Sequence, residues 1–180
     1  MPDRENYPSF DEISLHILDI AMNSIAAHAA LISIDVEENE SSTSFSVCDD
    51  GDGMPPEILK KAALPHFSTK KSAGLGLFIL KKAAENAGGS FSIFSKDKQN
   101  FPDSHGTLTR ASFDRSLPLG DLPATVAAII TAAPSCELVV NYSSPPRRVR
   151  VDTREMRRYL GNIPIDSPDV IDWVREQFAP

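Results

Sequence analysis

Between residues 11 and 28 apolar side chains recur three and four apart, at Leu15, Leu18, Met22 and Ile25, which predicts a helix with Ser9 or Asp11 to cap its start. Residues 31–36 and 44–48 alternate or run apolar as strands do, and the polar stretch EENESST joins them as a turn. Pro55-Pro56-Glu57 then opens a short helix reaching about residue 63, with proline in the first turn, where its missing N–H costs least. Residues 75–87 return to helical spacing, and Gly88-Gly89 closes that helix. Two further strands are predicted at 90–95 and 107–113. The pattern as a whole predicts a two-layer α/β sandwich: three helices on a mixed, mostly antiparallel sheet of four strands.

After residue 115 the texture of the chain changes. Residues 1–114 hold 17 acids and 10 bases, whereas 115–180 hold eight of each, and every base in the second segment is arginine. Eight of the fourteen prolines also lie beyond 115, so a boundary is expected within DRSLPLGD. That divides the chain into residues 1–115 and a small α/β C-terminal appendage, 116–180, suited to docking a partner. Within the appendage, 121–133 reads as an amphipathic helix, 137–142 and 147–152 as a hairpin around SSPP, and 153–160 and 167–178 as two short helices. Six arginines crowd residues 147–158, interleaved with Asp152 and Glu155. A solvated surface is the first reading of this cluster and a dock for an acidic partner the second.

Composition narrows the class of function. The chain has 180 residues, a formal charge of −7 and a pI near 5.0, which argues against binding the phosphate backbone of nucleic acid. The longest apolar run, ATVAAIITAA, falls short of the roughly 18 residues of a membrane helix, and the first ten residues do not read as a secretory signal. Two cysteines, Cys48 and Cys136, are too few for a disulfide framework or a zinc site. A soluble, cytoplasmic protein with no membrane or nucleic-acid partner is expected.

Three motifs carry candidate chemistry. The first, Cys48-Asp49-Asp50-Gly51-Asp52-Gly53-Met54, ends a strand. A calcium loop fails on spacing, because aligning either glycine with the sixth position leaves Cys48 or Ser46 as the first ligand. An acidic turn is the plain alternative; a nucleotide pocket is the functional one, with Asp49 accepting from an exocyclic amine and the glycines allowing close backbone approach. The second motif, Ser72-Ala73-Gly74-Leu75-Gly76-Leu77, runs into a helix whose first N–H groups would favour phosphate, with Lys70 and Lys71 just upstream. It is neither a Walker loop nor a dinucleotide fingerprint. The third is the pair Asp19 and Asn23, four apart and on one helix face with His16 and Ala27, where an amide oxygen and a carboxylate suit Mg²⁺ sharing ligands with phosphates.

In content, order and spacing these motifs resemble the GHKL ATPase superfamily of gyrases, Hsp90 chaperones, mismatch-repair ATPases and histidine kinases. ILDIAMNSIAAHA resembles its N box, DDGDGM its first glycine box, and FSTKKSAGLGLFILKKAAENAGG the lid and second glycine box of histidine kinases. GTLTRASF is similar to the last box. The resemblance covers about residues 10–114 and implies the Bergerat fold, ATP as ligand and Mg²⁺ as cofactor. It implies Asn23 as the magnesium ligand and Asp49 as the adenine-reading acid, with Thr107 beside it. Gly51, Gly53, Met54, Lys70, Gly74, Leu75, Gly76 and Leu77 would complete the nucleotide contacts, and Asp19 would be the catalytic base in place of a common glutamate. His28 and Ala73 stand where glycine is common, and His66 where a second aromatic is usual.

A histidine kinase carries its phosphoacceptor on a helical hairpin ahead of this domain, and with the first helix starting near residue 11 no such hairpin is expected here. The resemblance therefore implies either of two roles. One is a regulatory kinase or ATPase acting in trans on a protein partner that supplies the phosphoacceptor, in signal transduction. The other is a non-catalytic ATP/ADP sensor. PLGDLPATVAAIITA and VDTREMRRYLGNIPIDSPDVIDWVRE also resemble a stand-alone histidine-kinase-like group of anaerobic bacteria associated with iron-only hydrogenase and NADH-oxidoreductase genes, so the sensor's partner would be a redox complex. A homodimer is compatible with either role.

Overall fold

A computed structural model of the chain describes residues 11–65, 75–114 and 117–179. The chain opens with helix α1 (Ile13–Ala26) and the hairpin β1 (Leu31–Glu38) and β2 (Ser42–Asp49). A four-residue helix α2 (Pro56–Leu59) and the longer α3 (Gly76–Asn86) precede β3 (Ser90–Lys96) and β4 (Gly106–Asp114). Helix α4 (Leu122–Ala132), the hairpin β5 (Glu137–Ser144) and β6 (Arg147–Asp152), and helices α5 (Thr153–Leu160) and α6 (Pro168–Glu176) complete it. The proline-led helix ends four residues short of expectation, because the chain turns from Lys60 onward.

The strands form one sheet in the order β3-β4-β2-β1-β5-β6. All neighbours are antiparallel except β1 and β5, which pair in parallel from Leu31 opposite Glu137 to Glu37 opposite Ser143. All six strands lie where they were expected, but the C-terminal hairpin joins the other four in one sheet. The appendage continues the sheet: β1 would otherwise be an open edge with a row of unpaired N–H and C=O groups, and β5 takes them up. The core is likewise continuous across the proposed boundary, since Leu122, Val126, Ile130, Leu138 and Val140 join Ile17, Ile34, Val47 and Phe113 in one buried cluster. The C-terminal segment even satisfies the start of α1. Glu12 at its N-cap makes no side-chain cap bond; instead the N–H groups of Ile13 and Ser14 donate to the carbonyls of Pro118 and Leu119, at 2.9 and 2.8 Å.

Helix α1 buries a different stripe from the one its spacing suggested. Ile13, Ile17, Ile20, Ala21 and Ser24 face the core, while Leu15 and Met22 are 39% and 40% exposed. The helix lies on the sheet with α3 and α4 alongside, so its buried arc is broad and centres on Ile17, and two equally apolar stripes compete in the sequence. His16, expected on the polar face with Asp19, is 1% exposed and stacks on Phe113 with ring centroids 6.3 Å apart. Burial holds its pKa down at about 4, so it packs as a neutral ring.

Several of the arginines of the tail are structural. Arg150 and Arg154 both reach the buried Asp152 carboxylate, at 2.8 and 2.7 Å, and Asp152 Oδ1 also caps α5 by accepting from the Arg154 N–H. Chiefly through the Arg154 side chain, its pKa falls to about 2. Arg157 pairs with Glu137 at 3.0 Å.

One sheet and one core imply one unfolding unit. Ile34 lies in β1 between Val47 and Val140, and Trp173, the chain's only tryptophan, lies in α6 of the C-terminal segment. Ile34→Ala should cost about 2–5 kcal/mol. In urea it should shift the Trp173 fluorescence midpoint together with the far-UV dichroism midpoint; a shift confined to the dichroism would mean that the two segments unfold separately.

Candidate functional site

The site is built on one cross-strand row. Register places Ser95 of β3 opposite Thr107 of β4, and Thr107 opposite Asp49 of β2, on the helix-facing side at the strand ends. Asp49 is the last residue of β2, so its carboxylate stands where the chain leaves the sheet. Its Oδ1 accepts from the backbone N–H groups of Gly51 and Thr107, at 2.9 and 3.2 Å. Its Oδ2 accepts from the hydroxyl of Ser24, on the buried face of α1, at 2.6 Å. One carboxylate thus joins α1, β2, β4 and the loop after β2.

That loop is fixed from several sides. Asp50 Oδ1 accepts from the N–H groups of Ala30 and Leu31, at 2.8 and 2.9 Å, which ties the loop to the start of β1. His28 adopts a left-handed φ of 62° at the helix-to-strand corner, the position where glycine would be easier, and its Nδ1 donates to Asp52 Oδ2 at 2.6 Å. This bond holds the Asp52 carboxyl below its ordinary range. His105 Nδ1 donates to the Gly51 carbonyl at 2.6 Å. A Cβ at Gly53, where φ is 68°, would collide with the Lys96 carbonyl, and one at Gly51 would lie 2.8 Å from the Ala27 carbonyl. The Met54 N–H donates to Ser95 Oγ at 2.8 Å. Asp49 and Asp50 answer to separate backbone N–H groups and Asp52 to the His28 ring, and among the described residues no group of three His, Cys, Asp or Glu side chains could hold a metal.

The other end of the site lies between α1 and the start of α3. Asn23 Nδ2 donates to Asp19 Oδ2 at 3.4 Å, a weak bond on an exposed flank. Burial raises the Asp19 pKa, and the Asn23 bond opposes the shift. A Cβ at Gly76 would run into the Asp19 carboxylate, so glycine lets the two helices meet here. Leu75 occupies the N-cap of α3 without a side-chain cap bond, and Leu77 packs partly buried against the core. Lys70 and Gly74, together with Lys71 and Ala73, lie outside the described residues.

Asp49, Gly51, Gly53, Met54 and Thr107 therefore assemble at one end, and Asp19, Asn23, Leu75, Gly76 and Leu77 at the other, with α1 reaching both. Sequence reasoning missed Ser24, Ser95 and His105. Ser24 follows Asn23 on the buried side of the helix, and Ser95 stands in register with Thr107, so an explicit pairing of β3 with β4 would have found the second.

A sequence profile described as histidine kinase-, DNA gyrase B-, and HSP90-like ATPase matches residues 7–117. The sensor histidine kinase ZraS of Salmonella typhimurium is 33% identical over 89 residues, which are 47% of this chain and 19% of that protein. ZraS of Salmonella typhi matches to the same extent. The chain spans about a fifth of the length of these curated relatives. Among solved structures, the N-terminal domain of a DNA repair protein superposes with a TM-score of 0.57 at 17% identity, over 79% of this chain and 52% of that one, a likeness of fold. Among the described residues no helix is long and apolar enough to cross a membrane.

The contact between Gly76 and Asp19 gives a direct test. Gly76→Ala should push the Asp19 carboxylate toward solvent and away from Asn23. Followed by carbon NMR, the Asp19 titration midpoint should lie above the ordinary carboxylate value in the natural protein and fall back toward it in the variant. An unchanged midpoint would mean that Asp19 does not pack against the start of α3.

Proposed function

The chain belongs to the histidine kinase-, DNA gyrase B-, and HSP90-like ATPase family, and from that premise we propose that it binds ATP between the Asp49 row and the α1–α3 junction and acts in trans as a regulatory kinase or ATPase. The observation that carries this reading is the state of the Asp49 carboxylate. Two backbone N–H groups fill Oδ1 and one hydroxyl engages Oδ2, which leaves an acceptor at Oδ2 for the exocyclic amine of adenine. Thr107, next along the row, meets the adjoining ring edge, while Gly51, Gly53 and Met54 line the approach of the base.

Toward the triphosphate, the N–H groups that open α3 at Leu75, Gly76 and Leu77 take phosphate oxygens, with Lys70 and Gly74 upstream. The residues present fit Mg²⁺ held largely by water and phosphate: Asn23 keeps a neutral amide oxygen free of its bond to Asp19, on the exposed flank of α1 beside the Asp19 carboxylate. When bound, the ion neutralises charge on the phosphates and orients them. Asp19, one helical turn before Asn23, orients and deprotonates the attacking water or the acceptor hydroxyl or imidazole. Burial raises its pKa, which makes it a stronger base than a solvated aspartate. The base acts in its ionised form, so turnover rises as pH climbs through this raised pKa. A sensor of ATP and ADP would need the same pocket but no use for Asp19; its identification with a hydrogenase- or NADH-oxidoreductase-type partner rests on resemblance alone.

Two measurements test the reading. Asp49→Ala should weaken ADP binding in calorimetry by about 1–3 kcal/mol, and unchanged affinity in a folded variant would reject the pocket. With γ-labelled ATP, Asp19→Asn should retain ATP affinity while phosphate release or transfer falls about 10²–10⁴-fold. Equal, near-zero turnover in both proteins would favour the sensor.

A further inference from the structure

One edge of the sheet is guarded and the other is not. At the β6 edge the strand carries Arg147, Arg148 and Arg150, and the Arg147 side chain donates to the carbonyls of Gln177 and Ala179. Charges along an edge discourage a further strand from pairing there. At the opposite edge β3 reads Ser-Phe-Ser-Ile-Phe-Ser-Lys, with no proline and no charge before Lys96. It pairs with β4 in unbroken register from Ser90 opposite Ser112 to Lys96 opposite Gly106, so no bulge turns it aside. The Ser90 N–H points into the sheet, where it donates to Ser112 Oγ at 2.9 Å. Backbone groups of successive residues point to opposite sides of a strand, so those of Ser92, Phe94 and Lys96 also face β4, while the N–H and C=O groups of Phe91, Ile93 and Ser95 face outward. Among the described residues none of these outward groups makes a hydrogen bond. The edge side chains are apolar as well: Phe94 is 59% exposed, and Ile93 is half-buried outside the core cluster that Phe91 joins.

We propose that β3 is the contact between two copies of this chain, which join antiparallel, edge to edge, about a two-fold axis at Ile93 to make one continuous sheet. The strand is complementary to itself in a single register. Outward groups bond only to outward groups, and an axis at Ile93 sets Ile93 opposite the partner's Ile93 and Phe91 opposite the partner's Ser95, so every outward N–H and C=O is used. An axis at Ser92 or Phe94 would instead oppose Ser95 to Gly89 or Phe91 to Asp97, beyond the ends of the strand. On the open face the Ile93-centred register lays Phe94 against the partner's Ser92 and sets the two Phe94 rings diagonally across the axis, which removes both from water. The charges agree with it. Lys96 falls opposite the partner's Ser90, so the two lysines stand at opposite ends of the contact, each directed toward the end where the exposed Asp114 follows Ser112 on the same face. A contact made through one strand is small, so association is reversible and depends on concentration.

The experiment is sedimentation velocity over a concentration series, with amide exchange followed by NMR. The natural protein should dimerise reversibly, and the amides of Ile93 and Ser95 should exchange more slowly as concentration rises while those of Ser92 and Phe94 stay constant. Proline is tolerated on an edge strand where the N–H it removes faces solvent, so Ile93→Pro should keep the monomer folded and raise the dimer dissociation constant about 10- to 100-fold by removing both central bonds. Ser92→Lys and Phe94→Glu test the register without proline. Each sets like charges diagonally across the axis and should weaken its own dimer, whereas mixing the two variants opposes lysine to glutamate and should restore association. A natural protein still monomeric at about 1 mM overturns the proposal. So does a dimer that survives Ile93→Pro, protection gained at β6 in place of β3, or a mixture that associates no better than either variant alone.

Discussion

The carboxylate of Asp49 is the point on which the geometry of this molecule depends. A charged group half-buried at a strand end is costly unless its acceptor positions are filled, and here they are filled from three directions: a loop N–H, a strand N–H and a helix hydroxyl. Satisfying one side chain therefore fixes how far α1 stands from β2, where β4 begins and how the loop leaves the sheet. Gly106, with φ of 130°, lies so close to the Asp49 carbonyl that a Cβ there would collide with it, which shows how tightly β4 begins beside β2. The same bonds that hold the fold leave one acceptor pointing at the space between the elements. On the proposed reading structure and binding draw on the same atoms, so a change at Asp49 would affect both.

Around that point the chain uses one order of elements twice. Helix, strand and returning strand run α1–β1–β2 and then α4–β5–β6, and the two units join side by side because β1 pairs in parallel with β5. Helices α1 and α4 pack together above the join, and Thr125 Oγ1 donates to the Ser14 carbonyl at 3.2 Å, while the first N–H groups of α1 rest on Pro118 and Leu119. The C-terminal segment thus supports the back of the helix whose front carries Asp19, Asn23 and Ser24. A partner that pulls on α4 to α6 would act on α1 through packed contacts.

Most elements were legible because each has a local cause: 3.6-residue spacing, strand alternation, proline at a helix start, paired glycines at a helix end. The glycine boxes were legible as well, since a left-handed or crowded backbone position leaves few residues to choose from. What escaped was non-local. The β1–β5 pairing joins strands about a hundred residues apart, and nothing in either strand names its partner, so the continuity of the sheet past residue 115 was not legible. Helix α1 carries two apolar stripes, and only the sheet and helices beneath it decide which is buried; Leu15 and Met22 were the wrong choice for that reason. Ser24 and Ser95 are common residues whose importance comes from what stands 2.6–2.9 Å away.

The two ends of the site differ in stiffness, and the difference follows from their supports. At the Asp49 end every group sits on paired strands or on a loop closed by bonds of 2.6–3.2 Å. At the Asp19 end two helices meet across a glycine, and a single 3.4 Å contact joins the polar pair. A ligand spanning both meets a preorganised base pocket first, and the contacts it makes there can be spent on ordering the helix junction where the chemistry would occur. On the proposed reading, bonds are densest where the base would be recognised and sparsest where Asp19 would act.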